Sequence, residues 1–421
     1  MLFYSSKKPS LKLGFLQAVN QGLAEDGGLF LPESFSHPKV AYDSDYPKFA
    51  TNFLKAFVGD DLSTTELKKM CYKAFTFPVP MKQLSEKIHL LELFHGPSLS
   101  FKDFGAQFLS QILSYKALDK NRLILVATSG DTGAAVAASF FEKPKIRAVV
   151  LFPKGKVSPR QAKQLSCWGK NITTLRVRGN FDECQALVKE AFKQKKLHEN
   201  FELTTANSIN IGRLLPQAVY YAYSSLLYES NFGTTVNLIV PSGNLGNVTA
   251  AFWAKKMGYP IGQIVLAQNQ NSPVSDYLES GQYQEHKSIQ TLANAMDVGA
   301  PSNFTRIEAL FPTWEEFKKN IQAYKVSDHN IIEGIKSCYK KYSEILCPHT
   351  AVGYYVLSKY LDPDKPWMIA ATAHPSKFSE IIEPLINKKI SVPQIFKEQL
   401  DRDEFVYDIE RKMDDLILAI E

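Results

Sequence analysis

The chain has 421 residues, more than a single compact core accommodates, so two or three domains are expected. With 45% hydrophobic and 22% charged residues it has the composition of an ordinary soluble globular protein, which excludes disordered and fibrous classes. The formal charge of +6 is small for this length, and its basic clusters (Lys7-Lys8, Lys193 to Lys196, Lys318-Lys319) are short and interleaved with acids, as on solvated helix faces rather than a nucleic-acid surface.

Along the chain, residues 1–93 carry aromatics, prolines and amphipathic pieces such as "TTELKKMCYKAF" (64–75), without a strand–loop–helix unit. They read as a mostly helical extension ending near "FPVPM" (77–81). The pattern changes at "RLILVA" (122–127), a short apolar strand followed by "TSGDTG" (128–133) and the small-residue helix "AAVAASFFE". Strands "RAVVLF" (147–152) and "ITTLRVRG" (172–179) follow, then a helix in which Cys184, Leu187, Val188, Ala191 and Phe192 recur at core-facing spacing. A long helical segment at 209–229 leads to a second strand–loop–helix–strand series: "VNLIV" (236–240), "PSGNLGN" (241–247), "VTAAFWAKKMG" and "QIVLAQ". Helical patterns at 328–342 and 351–361 precede "WMIAATAHPSKF" (367–378), a buried strand running into a loop and a helix. Alternating strands and helices predict parallel sheets covered on both faces, and two such series predict two α/β domains with a cleft between them.

Five cysteines (71, 167, 184, 338, 347) form no C-x-x-C pair, so neither a zinc site nor a disulfide framework is expected, and a reducing compartment is. The N-terminus lacks the apolar core of a signal peptide, and "LILVA" and "AVVLF" fall far short of the roughly 20 residues of a membrane helix. A cytoplasmic protein without nucleic-acid or membrane partners is the expectation.

Both glycine loops end a strand and open a helix, where free N–H groups and the helix dipole favour an anion. Either loop alone would serve equally as a tight turn. A dinucleotide site is disfavoured, because Gly130 and Gly133, like Gly243 and Gly246, miss the G-x-G-x-x-G spacing. In "HGPSLSFKDFG", Lys102 lies between Phe101 and Phe104 at a helix start. Those rings could desolvate its amine, Ser100 could cap the helix, and Asp103 suits its first turn. Spacing alone makes Lys102 a surface lysine. Beside two anion loops and a cleft it becomes a candidate amine for Schiff-base chemistry.

Six segments in order, "HGPSLSFKDFG", "ATSGDTGAA", "ANSINIGR", "PSGNLGN", "NAMDVGAPSN" and "ATAHPSKF", resemble the threonine synthase family in its bacterial and fungal branch, as does "GLAEDGGLFLP" (22–32) in the extension. The resemblance runs from about residue 3 to residue 390. It implies two doubly wound α/β domains of the fold-type II pyridoxal-phosphate kind (tryptophan synthase β-like) after a mostly helical N-terminal extension. The expected division is an extension at 1–93, a small domain at 94–205 carrying the lysine and "TSGDTG", and a large domain at 206–421 carrying "PSGNLGN".

The implied activity is that of a lyase converting O-phospho-L-homoserine and water to L-threonine and phosphate, the last step of threonine biosynthesis, with pyridoxal 5'-phosphate as cofactor and no metal. Carried over, Lys102 would hold the cofactor as a Schiff base. Gly243, Asn244, Leu245, Gly246 and Asn247 would cradle its phosphate, and Thr372 would face its pyridine nitrogen. Ser129, Asp131 and Thr132 would sit at the substrate carboxylate, with Asn207, Ser208 and Arg213 near the substrate phosphate. Asp131 stands where many fold-type II relatives have Asn, and because an acid repels a carboxylate it is expected to act through backbone or Thr132 contacts. Ser98 and Ser100 replace a more usual Thr and Ala, and neither His95 nor His374 is expected to be catalytic. Lys154, Ser158 and Arg160 border the expected cleft without an assigned role, and a monomer or homodimer is expected. The alternatives are another fold-type II enzyme, such as a serine/threonine dehydratase or cysteine synthase, and a non-catalytic phosphate-metabolite binding protein. "NSINIGR" argues against the first, since those enzymes hold no phosphorylated side chain.

Overall fold

A computed structural model describes residues 1–36, 38, 40–115 and 120–420. Three sheets organise them. Strands β1 (Leu2–Ser5), β2 (Lys12–Gly14) and β3 (Phe30–Pro32) form a small antiparallel sheet, order β2-β1-β3. Strands β4 (Met81–Gln83), β5 (Ile88–Glu92), β10 (Val236–Pro241), β11 (Ile261–Gln268), β12 (Gln322–Lys325) and β13 (Trp367–Ala371) form a second, order β12-β11-β10-β13-β5-β4, parallel except at β4. Strands β6 (Asn121–Ala127), β7 (Ile146–Pro153), β8 (Ile172–Val177), β9 (Phe201–Thr205) and β14 (Tyr407–Ile409) form a parallel third, order β14-β8-β7-β6-β9.

The central strands of both larger sheets are buried almost throughout, so their sequences are continuous apolar runs. Sheet membership cuts across the sequence-based division. Strands β4 and β5 precede residue 94 yet complete the large sheet, and β14 returns from the last twenty residues to the small one. The extension is mostly helical, as expected, and also contains a small sheet. It holds β1–β3 alongside the helices Phe15–Gln21, Tyr46–Val58 and Thr64–Ala74, and strands of three or four residues are too short to display an alternating pattern.

The helix Ile211–Phe232 is buried along most of its length and runs against the helix Lys102–Leu113. Gly105 permits that approach, since a Cβ there would lie 2.5 Å from the Arg213 carbonyl oxygen. Asn210 begins the long helix by accepting from Gly212 N–H, while its amide donates to the Val19 and Thr205 carbonyls at 2.9 and 3.0 Å. Arg306 is the second clasp. Its fully buried guanidinium donates to the carbonyls of Phe30, Ser208 and Ile209 and to Asn303 Oδ1, joining the extension to the loop after β9. Replacing Arg306 with Met leaves these buried acceptors unpaired and should lower the unfolding free energy by about 3 kcal/mol in urea titrations.

Candidate active site

In open parallel sheets, ligands gather beyond the carboxyl ends of the strands. Here β5 leads to the Lys102 loop, β6 to "TSGDTG", β9 to Asn207 and Ser208, β10 to "PSGNLGN" and β13 to Thr372. These loops converge on one cleft of about 1070 Å³, lined by every site residue expected from the sequence. The extension supplies part of its wall through Lys7, Gln21, Leu23 and Gly27, and the helix Phe181–Ala191 adds Lys189.

Lys102 opens the helix Lys102–Leu113, with 14% of its side chain exposed. Its position is fixed by the backbone. Phe101 N–H donates to the Thr372 carbonyl at 2.9 Å, His374 N–H donates to the Leu99 carbonyl at 3.0 Å, and Ser100 bridges Ala373. The Phe101 ring centroid lies 4.5 Å from the amine. Phe104 instead packs into the core against Tyr46, Phe75, Phe77 and Tyr220, because a residue two places further round the helix faces away. Nor does Ser100 cap the helix by its side chain, which hydrogen-bonds Ser98 Oγ at 3.0 Å. Asp103 is buried and accepts from Ser98 N–H at 2.9 Å; burial pushes its carboxyl up to about 6.

The second glycine loop is shaped for close approach. A Cβ on Gly243 would stand 2.6 Å from Met296 Cα, and Leu245 adopts the left-handed region at φ 61° before the helix Gly246–Lys256 begins. The Asn244 side chain is committed to its neighbours, donating to Ser208 Oγ at 2.7 Å and accepting from Ser302 N–H at 2.7 Å. Asn303 donates to the Asn244 carbonyl and to Ser208 Oγ, so three loops are tied together. Asn247 Oδ1 accepts from the hydroxyls of Tyr220 and Tyr221. Among the described residues, Asn247 Nδ2, Asn207 Oδ1, Arg213 Nε and Thr372 Oγ1 are buried without a hydrogen-bond partner.

The Asp131 carboxylate is engaged by side chains from other loops. The residue opens the helix Asp131–Phe140, and Oδ1 meets Lys377 Nζ at 2.8 Å and Gln161 Nε2 at 3.0 Å, while Oδ2 lies 3.6 Å from Lys102 Nζ. Lys377 is fully buried, is absent from the cleft lining, and also donates to the Ser98 carbonyl at 2.7 Å. The one sign of Lys377 in the sequence is its membership of "ATAHPSKF". Lys154, Ser158 and Arg160 do not line the cleft. Lys154 pairs with Asp408 at 2.7 Å, Ser158 caps the helix Pro159–Ser166, and Arg160 donates to the Ser376 carbonyl. His95 pairs with Glu92 at 2.8 Å, and His374 hydrogen-bonds Ser376, so both serve local structure.

Burial lowers the affinity of the Lys102 amine for its proton; Asp131 opposes this, and Lys377 and Arg213 reinforce it. Burial pushes the Asp131 carboxyl upward, but Lys377 and Lys102 together with His349 outweigh it and hold the group well below the usual carboxylate range. Burial brings Arg213 down to about 10. His349, also missed, lines the cleft and accepts from Ala295 N–H at 3.1 Å; burial first, then Lys102 and Lys377, lower it to about 4 from 6.5 against the pull of Asp131. The unfolded chain therefore takes up this proton first. The stability due to a neutral His349 is complete above pH 6.5 and is lost as the pH falls towards 4. Denaturant unfolding followed from pH 7 to 4 should show the parent losing about 3 kcal/mol more than His349→Gln.

Comparison with known proteins places this geometry in a family. The family model described as "Threonine synthase N terminus" matches residues 2–75, "Pyridoxal-phosphate dependent enzyme" matches 74–372, and "Threonine synthase, C-terminal" matches 350–419. The threonine synthase of Serratia marcescens is 39% identical over 94% of this chain and 93% of its own, and that of Escherichia coli 39% over 95% of each. The crystal structure of the Escherichia coli enzyme superposes with a TM-score of 0.92 at 36% identity, covering 100% of this chain and 99% of that one. The PLP-bound threonine synthase of Brucella melitensis gives 0.89 at 30% identity, covering 100% and 98%. Maize serine racemase, 16% identical with a TM-score of 0.53 over 82% of this chain and 98% of its own, shares the fold alone. The chain belongs to the threonine synthase family of pyridoxal-phosphate-dependent enzymes.

Proposed function

We propose that the cleft converts O-phospho-L-homoserine and water to L-threonine and inorganic phosphate, with Lys102 carrying pyridoxal 5'-phosphate. The observation that carries this reading is a partly desolvated amine in the same cleft as a glycine loop that opens a helix N-terminus. The residues fit the cofactor. Gly243 to Asn247 would take its phosphate on backbone N–H groups at a helix N-terminus, and the unpartnered Thr372 hydroxyl would take the pyridine nitrogen. Thr372 is neutral, so it leaves that nitrogen less firmly protonated than a carboxylate would. When bound, the cofactor supplies the electron sink that makes protons beside the amino-bearing carbon removable.

The chain's own groups do the rest. The Lys102 amine takes the α-proton and later returns a proton, a task suited to an amine whose proton affinity burial has lowered. Asn207, Ser208 and Arg213 receive the substrate phosphate; the unpaired Arg213 Nε is a buried donor for the departing dianion. Ser129, Thr132 and the N-terminus of the helix Asp131–Phe140 hold the carboxylate, with the charge of Asp131 directed towards lysines. A β-proton is lost as phosphate leaves the γ-carbon; the γ-carbon then takes up a proton, water adds its hydroxyl at the β-carbon, and the α-carbon regains its proton.

Among the described residues no helix is long and apolar enough to cross a membrane, and all five cysteines are buried and free, which supports a cytoplasmic enzyme. The sheet composition supports a division in which β4 and β5 belong to the large domain and β14 to the small one.

Phosphate release from O-phospho-L-homoserine tests the assignment. Lys102→Ala should reduce it at least ~10³-fold and abolish the visible cofactor band, whereas keto-acid formation without phosphate release would favour a dehydratase. Arg213→Gln should lower kcat/KM for the phosphorylated substrate by about 10- to 100-fold, with the cofactor band retained.

A further inference from the structure

The pairing of Asp131 with two lysines carries a consequence for the amine. An acid 3.6 Å from Lys102 Nζ in a nearly dry site would, by itself, hold that amine as an ammonium ion and make it a poor base. Lys377 changes this balance. It lies fully buried on the opposite carboxylate oxygen at 2.8 Å, anchored by the Ser98 carbonyl of the same loop that carries Lys102. It does not line the cleft. We infer that Lys377 is a positioning residue that shares the Asp131 carboxylate with Lys102, so that the aspartate orients the amine without locking the proton onto it.

The groups facing this cluster bear on its titration. Asp131 is met by Lys377, Lys102 and His349, with Cys347 nearby; Arg213 faces Lys102, and Asp103 faces both Arg213 and Lys377. Asp131 is the sole carboxylate paired with either lysine among the described residues. The arrangement also accounts for an acid in the loop where an Asn would be simpler. The buried Lys377 ammonium offsets its charge, so the substrate carboxylate can approach the neighbouring residues without meeting an unbalanced anion.

The inference rests on the proposed role of Lys102, and its test separates the two. In cofactor-free protein, competitive acetylation read by peptide mass spectrometry gives the pH midpoint of Lys102 without any turnover. Lys377→Gln keeps a donor for Ser98 and Asp131 but loses the charge, and should raise that midpoint. Asp131→Asn should lower it. In the holoenzyme the acid limb of the kcat profile should move in the same directions, with kcat of Lys377→Gln down about 10-fold at pH 7 and recovering at higher pH while KM changes little. The penalty should shrink when Lys377→Gln is made in the Asp131→Asn background. An unmoved Lys102 midpoint in folded Lys377→Gln, or a pH-independent loss equal in both backgrounds, would overturn the proposal. Should Lys377→Gln not fold, an unmoved midpoint in Asp131→Asn does so as well. Loss of phosphate release with shifted midpoints intact would instead count against the reaction.

Discussion

Burying an amine is unfavourable in its charged form, and the site is arranged around that cost. The Lys102 loop hydrogen-bonds the loop after β13 through Phe101 and His374, which fixes the backbone that carries the amine. The surroundings then set its charge. Burial lowers its hold on the proton most, Lys377 and Arg213 act in the same direction, and Asp131 opposes them.

That amine is useful only if the other participants meet it from separate parts of the chain. Parallel strands accomplish this because each delivers its following loop to the same edge, and five of them do so here. Rigid cross-links keep the loops in register. Asn244, Ser208, Ser302 and Asn303 form one hydrogen-bonded unit, and Arg306 fastens it to Phe30 of the extension. The extension is thus a structural wall of the cleft, with Gln21 and Leu23 on its lining.

Much of this was legible in the chain. The apolar runs at β6, β7, β10, β11 and β13 mark buried parallel strands, and the glycine loops after β6 and β10 stand where a strand meets a helix. Strands β4 and β14 were not legible, since three residues carry no periodicity and their partners lie far along the chain. The site followed the same rule. The motif loops line one cleft, whereas the partnership of Lys377 with Asp131 depends on two loops distant in sequence meeting in space. Phe104 misled for a simpler reason. Flanking an amine in sequence does not mean flanking it in space once a helix begins between them.

The late return of β14 has a bearing on how the molecule is made. Until residues 407–409 emerge from synthesis, β8 is an open edge of a parallel sheet whose other strands were completed some two hundred residues earlier. Such an edge is a template for pairing with another chain. Arg176 on β8, which the mature fold pairs with Asp408, offers a charged gatekeeper during that interval and then becomes the latch that receives the closing strand.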